Sequence, residues 1–305
     1  MQKQGSSNAD SAQECSVALG YFDGVHMGHR KVISQAVQWA KQHHLSSAVF
    51  TFELPQDSTL KGQRILSVTE KKRRMFEMGV EKYISPAFQQ IQEMSPKAFV
   101  TEYLKNQCHA KAVFCGENFT FGKGKAGNTT LLQQLCQENE IVVEIIPLAW
   151  ENGQAISSTR IRQLLQDGQM EHANQLLGQP YCVDYPVQHG KGNGKVWGFP
   201  TINQLFPKGS LIPKQGVYVT RVQLRDGSWH AGATGLGNRP TVSGEGITCE
   251  TFLPEYQGDL YGQQVRVEFC RYLKPTVKFN SVEELKQYVF DAADVAVKEF
   301  YAHQK

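Results

Sequence analysis

The chain has 305 residues, 40% hydrophobic and 20% charged, with a formal net charge of +3. That balance suits one large or two modest folded domains and gives no argument for a nucleic-acid or membrane surface. No apolar run approaches the length of a membrane span. The seven cysteines (Cys15, Cys108, Cys115, Cys136, Cys182, Cys249, Cys270) are scattered without a C-x-x-C pair or a histidine partner at zinc spacing. They read as mostly buried thiols in a reducing compartment.

The opening MQKQGSSNADSAQE is polar and lacks the apolar centre of a secretory signal, so residues 1–14 are expected to be disordered and the protein cytoplasmic. Residues 17–30, VALGYFDGVHMGHR, pass from an apolar run through a glycine turn to two histidines three apart. Helical spacing follows, with Val32, Ile33, Ala36, Val37 and Ala40 on one apolar face. The pattern predicts a buried strand, a tight turn, and a helix starting near Met27 or Gly28. Backbone N–H groups at such a start attract anions, and flanking glycines let a ligand approach. Gly20, Phe22, Asp23, Gly24 and Gly28 are the candidate binding residues, with His26 and His29 the candidate catalytic pair. Imidazole can donate a hydrogen bond when neutral and add charge when protonated. The plainer alternative makes both histidines surface groups beside an ordinary strand–helix turn.

A short strand is expected at 49–52, and Ser67 with Glu70 fits a capping box for a helix ending near Gly79. A strand follows at 82–85. Ser95 as cap and Pro96 at the first position open a helix with Phe99, Val100, Tyr103 and Leu104 on one face. Residues 110–115 form a strand. The segment GENFTFGKGKAGN (116–128) is glycine-rich and polar and reads as a mobile loop. In it Asn118 offers an amide, Phe119 and Phe121 stacking surface, and Lys123 and Lys125 positive charge; the alternative is a solvent loop pinned by its phenylalanines. A helix at 129–137 buries Leu131, Leu132, Leu135 and Cys136, and the apolar run 141–147 is expected at the centre of a parallel sheet. Alternating strands and helices predict a Rossmann-like α/β domain with ligands at the carboxyl ends of its strands.

Residues 156–162, ISSTRIR, begin a further helix. Ser157, Ser158 and Thr159 can bond phosphate oxygens there, and Arg162, one turn on, is a bidentate donor. The alternative is an ordinary serine–threonine cap. Helices are expected at 158–167 and 170–177, with a boundary at Gly178, Gln179 and Pro180. From Tyr181 the apolar period becomes two. Runs at 217–224, 229–234, 246–253 and 265–272, with an Asp226-Gly227 turn, predict a closed or nearly closed antiparallel barrel. Ser281 and Glu284 form a second capping box for a helix carrying Leu285, Val289, Ala292, Ala296 and Phe300, able to cover a barrel edge. Gly190, Gly192, Gly194 and Gly198 let the chain wrap phosphates through backbone N–H groups.

Together GYFDGVHMGH (20–29), GENFTFGKGKAGN (116–128), ISSTRIR (156–162), HGKGNGKVWGFPTIN (189–203), GVYVTRV (216–222), GLGNRPT (235–241) and GDLYG (258–262) make the chain resemble the bifunctional prokaryotic riboflavin kinase/FMN adenylyltransferases, or FAD synthetases. The resemblance runs from about residue 17 to 300. It implies an FMN adenylyltransferase domain over 15–180, an α/β nucleotidyltransferase of the H-x-G-H type. A small antiparallel β-barrel riboflavin kinase domain with a C-terminal helix follows over 181–305. It implies ATP, riboflavin and FMN as substrates, FAD as product, and Mg²⁺ as divalent cation. By similarity Thr201 and Asn203 hold the metal and phosphates, Phe199 and Pro200 belong to the same turn, and Glu250 is the catalytic glutamate. No protein, nucleic-acid or membrane partner is implied. The chain departs from the family with Tyr21 in place of asparagine, with Leu54, Pro55 and Gln56 in place of the last three residues, including the histidine, of a Phe-Glu-Pro-His-Pro run, and with Lys274 and Thr276 in place of arginine and glutamate. These departures leave two alternatives: a flavin- or nucleotide-binding regulatory paralog, or a single-function nucleotidyltransferase whose barrel is a scaffold.

Overall fold

The computed structural model describes residues 13–55, 58, 60–190, 193–241 and 244–302. Of the N-terminus expected to be disordered over 1–14, residues 1–12 fall outside the described residues, as do the positions Gln56 and Gly192. The chain divides into two compact units, residues 1–55 with 72–155, and residues 56–71 with 156–305.

In the first unit β1 (Cys15–Leu19), α1 (Met27–His43), β2 (Ser46–Phe50), α2 (Val68–Glu77), β3 (Lys82–Ile84), α3 (Phe88–Ile91) and α4 (Pro96–Ala98) follow in order, with α2 beginning in residues of the second unit. A π-helical segment (Phe99–Gln107), β4 (Ala110–Gly116), α5 (Thr129–Gln137), β5 (Val142–Ile146) and a small hairpin of β6 (Trp150–Glu151) and β7 (Gln154–Ala155) complete it. The parallel sheet has the order β3-β2-β1-β4-β5. Every residue of β1 and β2 is buried, because helices cover both faces of the sheet's middle. On one face Cys15, Val17 and Leu19 join Phe99, Val100, Leu104, Leu132 and Cys136 in a single apolar core. On the other, Ser16 donates its hydroxyl to the α1 carbonyl of Ala36 at 2.8 Å. The helix start at Met27 and the five-residue apolar face of α1 agree with the sequence reading.

Two expectations change. The run around 141–147 is an edge strand, with Val142 half exposed, because only β4 pairs with it. Apolar content alone does not separate a central strand from an edge lined by aliphatic side chains. The glycine-rich segment 116–128 also carries structure of its own. Phe121 and Gly127 exchange backbone hydrogen bonds of 3.0 and 2.9 Å around a 3₁₀ turn at Lys123–Lys125, and the buried Phe121 ring packs against Phe99.

The second unit holds α6 (Ser158–Asp167), α7 (Met170–Leu177), β8 (Tyr181–Val183), α8 (Asn193–Trp197), β9 (Thr201–Leu205), β10 (Gly216–Gln223), β11 (Trp229–Thr241), β12 (Gly244–Phe252), β13 (Arg266–Lys274) and α9 (Val282–Ala302). Both α6 and α7 end on left-handed glycines, Gly168 and Gly178. The antiparallel sheet has the order β8-β13-β10-β11-β12-β9. The sheet curls into a half-barrel, and the chain that follows β8 reaches the other edge strand, β9, at a bridge from Gln188 to Asn203 with a backbone bond of 2.8 Å. The turn at Asp226-Gly227 joins β10 to β11, with Gly227 at φ +87° and Asp226 accepting from the Ser228 N–H. The last helix packs Ala292, Ala293, Leu285 and Val289 against Phe199, Val217, Ala233 and Phe252. Since β10 and β11 are central, α9 covers the middle of the sheet's outer face rather than an edge.

Inside the barrel, Thr220, Thr234 and Thr251 form a buried chain of hydroxyls 2.8 Å apart. Each step satisfies a polar atom that burial would otherwise leave unpaired. Thr234→Val should cost about 1–3 kcal/mol in urea unfolding, since it removes the middle partner. Replacing all three threonines by valine should restore most of that loss, because no buried hydroxyl then lacks a partner.

Candidate active sites

The turn after β1 is strained. Phe22 and Val25 adopt φ of +54° and +47°, with Gly24 at +84° between them. A β-branched residue in that region is unfavourable by about 1–3 kcal/mol, and such outliers gather at ligand loops. The turn buries Phe22, Asp23 and Val25, and Thr51 donates to the Tyr21 carbonyl at 3.1 Å. It delivers His26 as the N-cap of α1. The His26 ring accepts the His29 N–H at Nδ1, 3.3 Å away, and stacks on the His29 ring at 3.5 Å. Phe22 meets His29 edge-on at 5.3 Å. A Cβ at Gly28 would lie 3.2 Å from the His26 ring, so glycine there makes room for the imidazole.

The sequence reading brought the two histidines to one place; that His26 caps its own helix was not legible. An accepting Nδ1 leaves the proton on Nε2, so His26 is a neutral donor. Burial reinforces this by lowering its pKa from 6.5 to about 4, against a smaller raising effect from a backbone hydrogen bond. Tyr21, at the family's asparagine position, stacks obliquely on Phe52 at 5.0 Å, and Phe52 meets Phe88 at 5.0 Å. Those half-buried rings follow the carboxyl ends of β1, β2 and β3; the sequence reading noted Tyr21 but not the row. In the 116–128 segment Asn118 is exposed, Phe119 stacks on Phe121 at 5.8 Å, and Lys123 pairs with Glu93 at 2.7 Å.

The ISSTRIR start belongs to the second unit. Ser157 caps α6, accepting the Arg160 N–H at 3.3 Å, while Ser158 and Thr159 occupy the first turn. Arg162 donates from Nε to the Gln63 carbonyl at 2.7 Å.

On the barrel, cross-strand register decides which side chains meet. Glu250 lies directly opposite Asn203, and Phe252 opposite Thr201. Directly paired residues share a face, so Thr201, Asn203 and Glu250 all point to the outer side of the sheet. The chain before β9 folds over them. A Cβ at Gly190 would sit 2.7 Å from the Asn203 Nδ2, and one at Gly194 2.7 Å from the Phe199 carbonyl. Gly198 has φ +87°, Phe199 is buried under α9, and Pro200 is exposed just before Thr201. Beside this loop His189 stacks on Tyr261 of the GDLYG turn at 3.9 Å. Lys274 has a structural partner: its Nζ lies 3.5 Å from the Tyr288 ring centre and donates to the Tyr288 carbonyl at 3.1 Å, tying α9 to β13. Thr276 lies beside Gly237.

Two hydroxyl and amide groups beside one carboxylate suit a hard cation that takes most of its remaining ligands from phosphates and water. Among the described residues there is no cluster of three or more His, Cys, Asp or Glu able to hold a metal without such help. The donor set is compatible with a small hard cation that brings oxygen ligands of its own.

A family model for FAD synthetase matches residues 8–160, and one for riboflavin kinase matches residues 177–299. A protein named bifunctional riboflavin kinase/FMN adenylyltransferase from Listeria monocytogenes is 34% identical over 88% of this chain and 87% of its own. The chain belongs to that family. Relatives of the same name from Haemophilus influenzae and Bacillus subtilis are each 33% identical, over 90% and 93% of this chain and 90% and 92% of their own. A crystal structure described as a macrolide-efflux protein from Streptococcus pneumoniae matches 93% of this chain and 94% of its own at a TM-score of 0.81 and 29% identity. Among the described residues no helix is long and apolar enough to cross a membrane.

The depressed His26 pKa has a pH consequence. Between about 4 and 6.5 the unfolded chain binds a proton there that the folded chain does not, so stability falls as pH drops through that window. Between pH 7 and pH 4.5 the unfolding free energy should fall about 2–3 kcal/mol more than in His26→Asn, which keeps a capping acceptor without titrating. Denaturant titrations of both proteins at each pH check this; equal slopes would mean an ordinary histidine.

Proposed function

We propose that residues of the Gly20-to-His29 turn and of the ISSTRIR helix start carry FMN adenylylation, and that Thr201, Asn203 and Glu250 carry riboflavin phosphorylation. As a member of this family the chain makes FAD from riboflavin in two ATP-dependent transfers. We place the functional division at residue 180, with adenylylation assigned to 15–180 and phosphorylation to 181–305. A cytoplasmic setting, with small molecules as the only partners, belongs to the same reading.

In the first transfer the FMN phosphate attacks the α-phosphorus of ATP in line and pyrophosphate leaves, so no protein nucleophile is needed. Negative charge grows on the transferring and leaving groups. Neutral His26 donates from Nε2, His29 stacks on it from the first turn of α1, and the helix N–H groups add positive potential. Arg162 adds a fixed charge, with Ser157, Ser158 and Thr159 as hydroxyls of the same helix start. Gly20, Phe22, Asp23, Gly24 and Gly28 shape the turn, and Asn118 and Phe119 belong to the ligand-facing segment, which the buried Phe121 holds to the core. The stacked histidine pair at a helix start is the observation that supports this half.

For the second transfer, the register that brings Glu250 opposite Asn203 is the supporting observation. Glu250 orients the ribityl hydroxyl and accepts its proton as the γ-phosphate is transferred. Thr201 and Asn203 would hold the Mg²⁺, which when bound neutralises phosphate charge. Gly190, Gly194, Gly198, Phe199 and Pro200 form the loop against which the phosphates lie.

Chromatographic separation of FMN and FAD over time, from pure protein with ATP and Mg²⁺, tests both halves. His29→Ala should lower FAD formation from FMN by about 100-fold or more and leave FMN formation from riboflavin nearly unchanged. Glu250→Gln should do the reverse, keeping ATP affinity while losing most kinase turnover. An unchanged FAD rate in the first variant, or an unchanged FMN rate in the second, would remove that residue from its role.

A further inference from the structure

The segment from Gly62 to Glu70 joins the second unit as a strap with two anchored ends. At its start, Arg64 forms a parallel bridge to Ser210, with backbone bonds Arg64 N to Gly209 O at 2.9 Å and Leu211 N to Arg64 O at 2.8 Å. The Arg64 side chain adds a bond to the Lys208 carbonyl at 3.0 Å. At its end, the first turn of α2 enters a chain of charges that is buried at Glu70 and Glu268 and opens toward solvent at Arg221. Arg266 on β13 grips Glu70 with a two-bond fork, Nε and Nη2 each 3.2 Å from a carboxylate oxygen. Arg266 also pairs with Glu268, which pairs with Arg221, and both guanidinium groups lie over the Trp229 ring at 5.6 and 4.7 Å. Ser67 caps α2 through the Glu70 N–H at 2.9 Å and hydrogen-bonds the buried Asp184 carboxyl.

Immediately before the first anchor, at Gly62 and Gln63, the strap touches the ISSTRIR helix. The Gln63 carbonyl accepts the Arg162 Nε–H at 2.7 Å, and the guanidinium carbon lies 3.4 Å from where a Gly62 Cβ would be. Gly62 has φ +72°, a backbone turn that favours glycine, and a side chain added there would sit in van der Waals contact with the guanidinium.

We propose that Gly62, Glu70 and Arg266 are positioning residues for adenylyl transfer, acting through a strap that fixes the plane of the Arg162 guanidinium. The inference rests on the assignment of Arg162 to that reaction. A bond through Nε sets where the other two guanidinium nitrogens point, and an arginine held before substrate arrives loses less freedom when it meets a phosphate. A carboxylate–guanidinium fork is a suitable anchor, because its two parallel bonds define an orientation as well as a distance. The anchor residue Arg266 comes from the part of the chain that matches riboflavin kinase. Adenylylation thus depends on barrel residues that take no part in it chemically.

The test is a double-mutant cycle on the full chain. Gly62→Ala and Glu70→Gln should each lower kcat for FAD formation from FMN about tenfold, with little change in KM for ATP and an unchanged riboflavin kinase kcat. Both effects should vanish in an Arg162→Ala background, since there is then no guanidinium to position. Effects that add in full to that of Arg162→Ala would overturn the proposal, as would a folded Gly62→Ala protein with normal turnover. Gly62→Ala keeps the test open if loss of the Glu70 charge prevents folding. Hydrogen exchange at the Arg162 Nε–H, read by nitrogen-15 NMR, gives a second measurement: faster exchange is expected in both variants, and unchanged exchange would refute the strap. If Arg162→Ala itself leaves FAD formation intact, the catalytic assignment of Arg162 fails, whereas the exchange data still judge the positioning.

Discussion

At two places in this chain a side chain proposed to act in catalysis or metal binding lies in the space that a glycine leaves empty. His26 lies against Gly28 and Asn203 against Gly190, with closest approaches of 3.2 and 2.7 Å to the absent Cβ. The constraint works in both directions. The glycine allows the contact, and the contact then limits where imidazole or amide can go. Side chains held by backbone lose little freedom when a ligand arrives, which is how positioning lowers a barrier. Protein interiors are packed too closely for a methyl group to be added at such points without moving the group that matters.

Around His26 that constraint links fold and chemistry. The ring ends a turn with two non-glycine residues in the left-handed region, caps α1, and stacks on His29. Capping takes up Nδ1 and burial disfavours the charged form, so both effects keep the ring neutral with its donor on Nε2. Positive potential at this turn then comes from the helix start rather than from His26. The strain of the turn is offset by the packing of Phe22 and Val25, both buried.

In the second unit, two kinds of polar interior divide the work. The threonine chain satisfies itself inside the barrel with neutral groups, at little electrostatic cost. The Glu70–Arg266–Glu268 chain, with the partly exposed Arg221 at its end, uses mostly buried charges, which stabilise little compared with an apolar core but lose heavily if a buried partner goes. Such a chain is better understood as specifying geometry than as supplying stability, and the geometry it specifies is that of the strap carrying Gly62 and Gln63.

Much of this was legible in the sequence, because periodicity and capping are local. The five-residue face of α1, the Ser95-Pro96 helix start, the left-handed glycine after α7 and the change to period two beyond Tyr181 all depend on neighbours a few residues away. The histidine pair was legible for the same reason, since a spacing of three in the first helical turn brings two side chains together. What only the tertiary structure decided was long-range pairing. Nothing within residues 141–147 says which strands flank them, so a central strand was expected and an edge was found. No local signal sets Glu250 opposite Asn203, because register comes from the whole β9–β12 ladder. The capping box at Ser67 and Glu70 was half readable: its serine caps the helix as expected, but the glutamate reaches an arginine 196 residues away. A local rule can name a residue that is free to act, and only the folded chain supplies the distant group on which it acts.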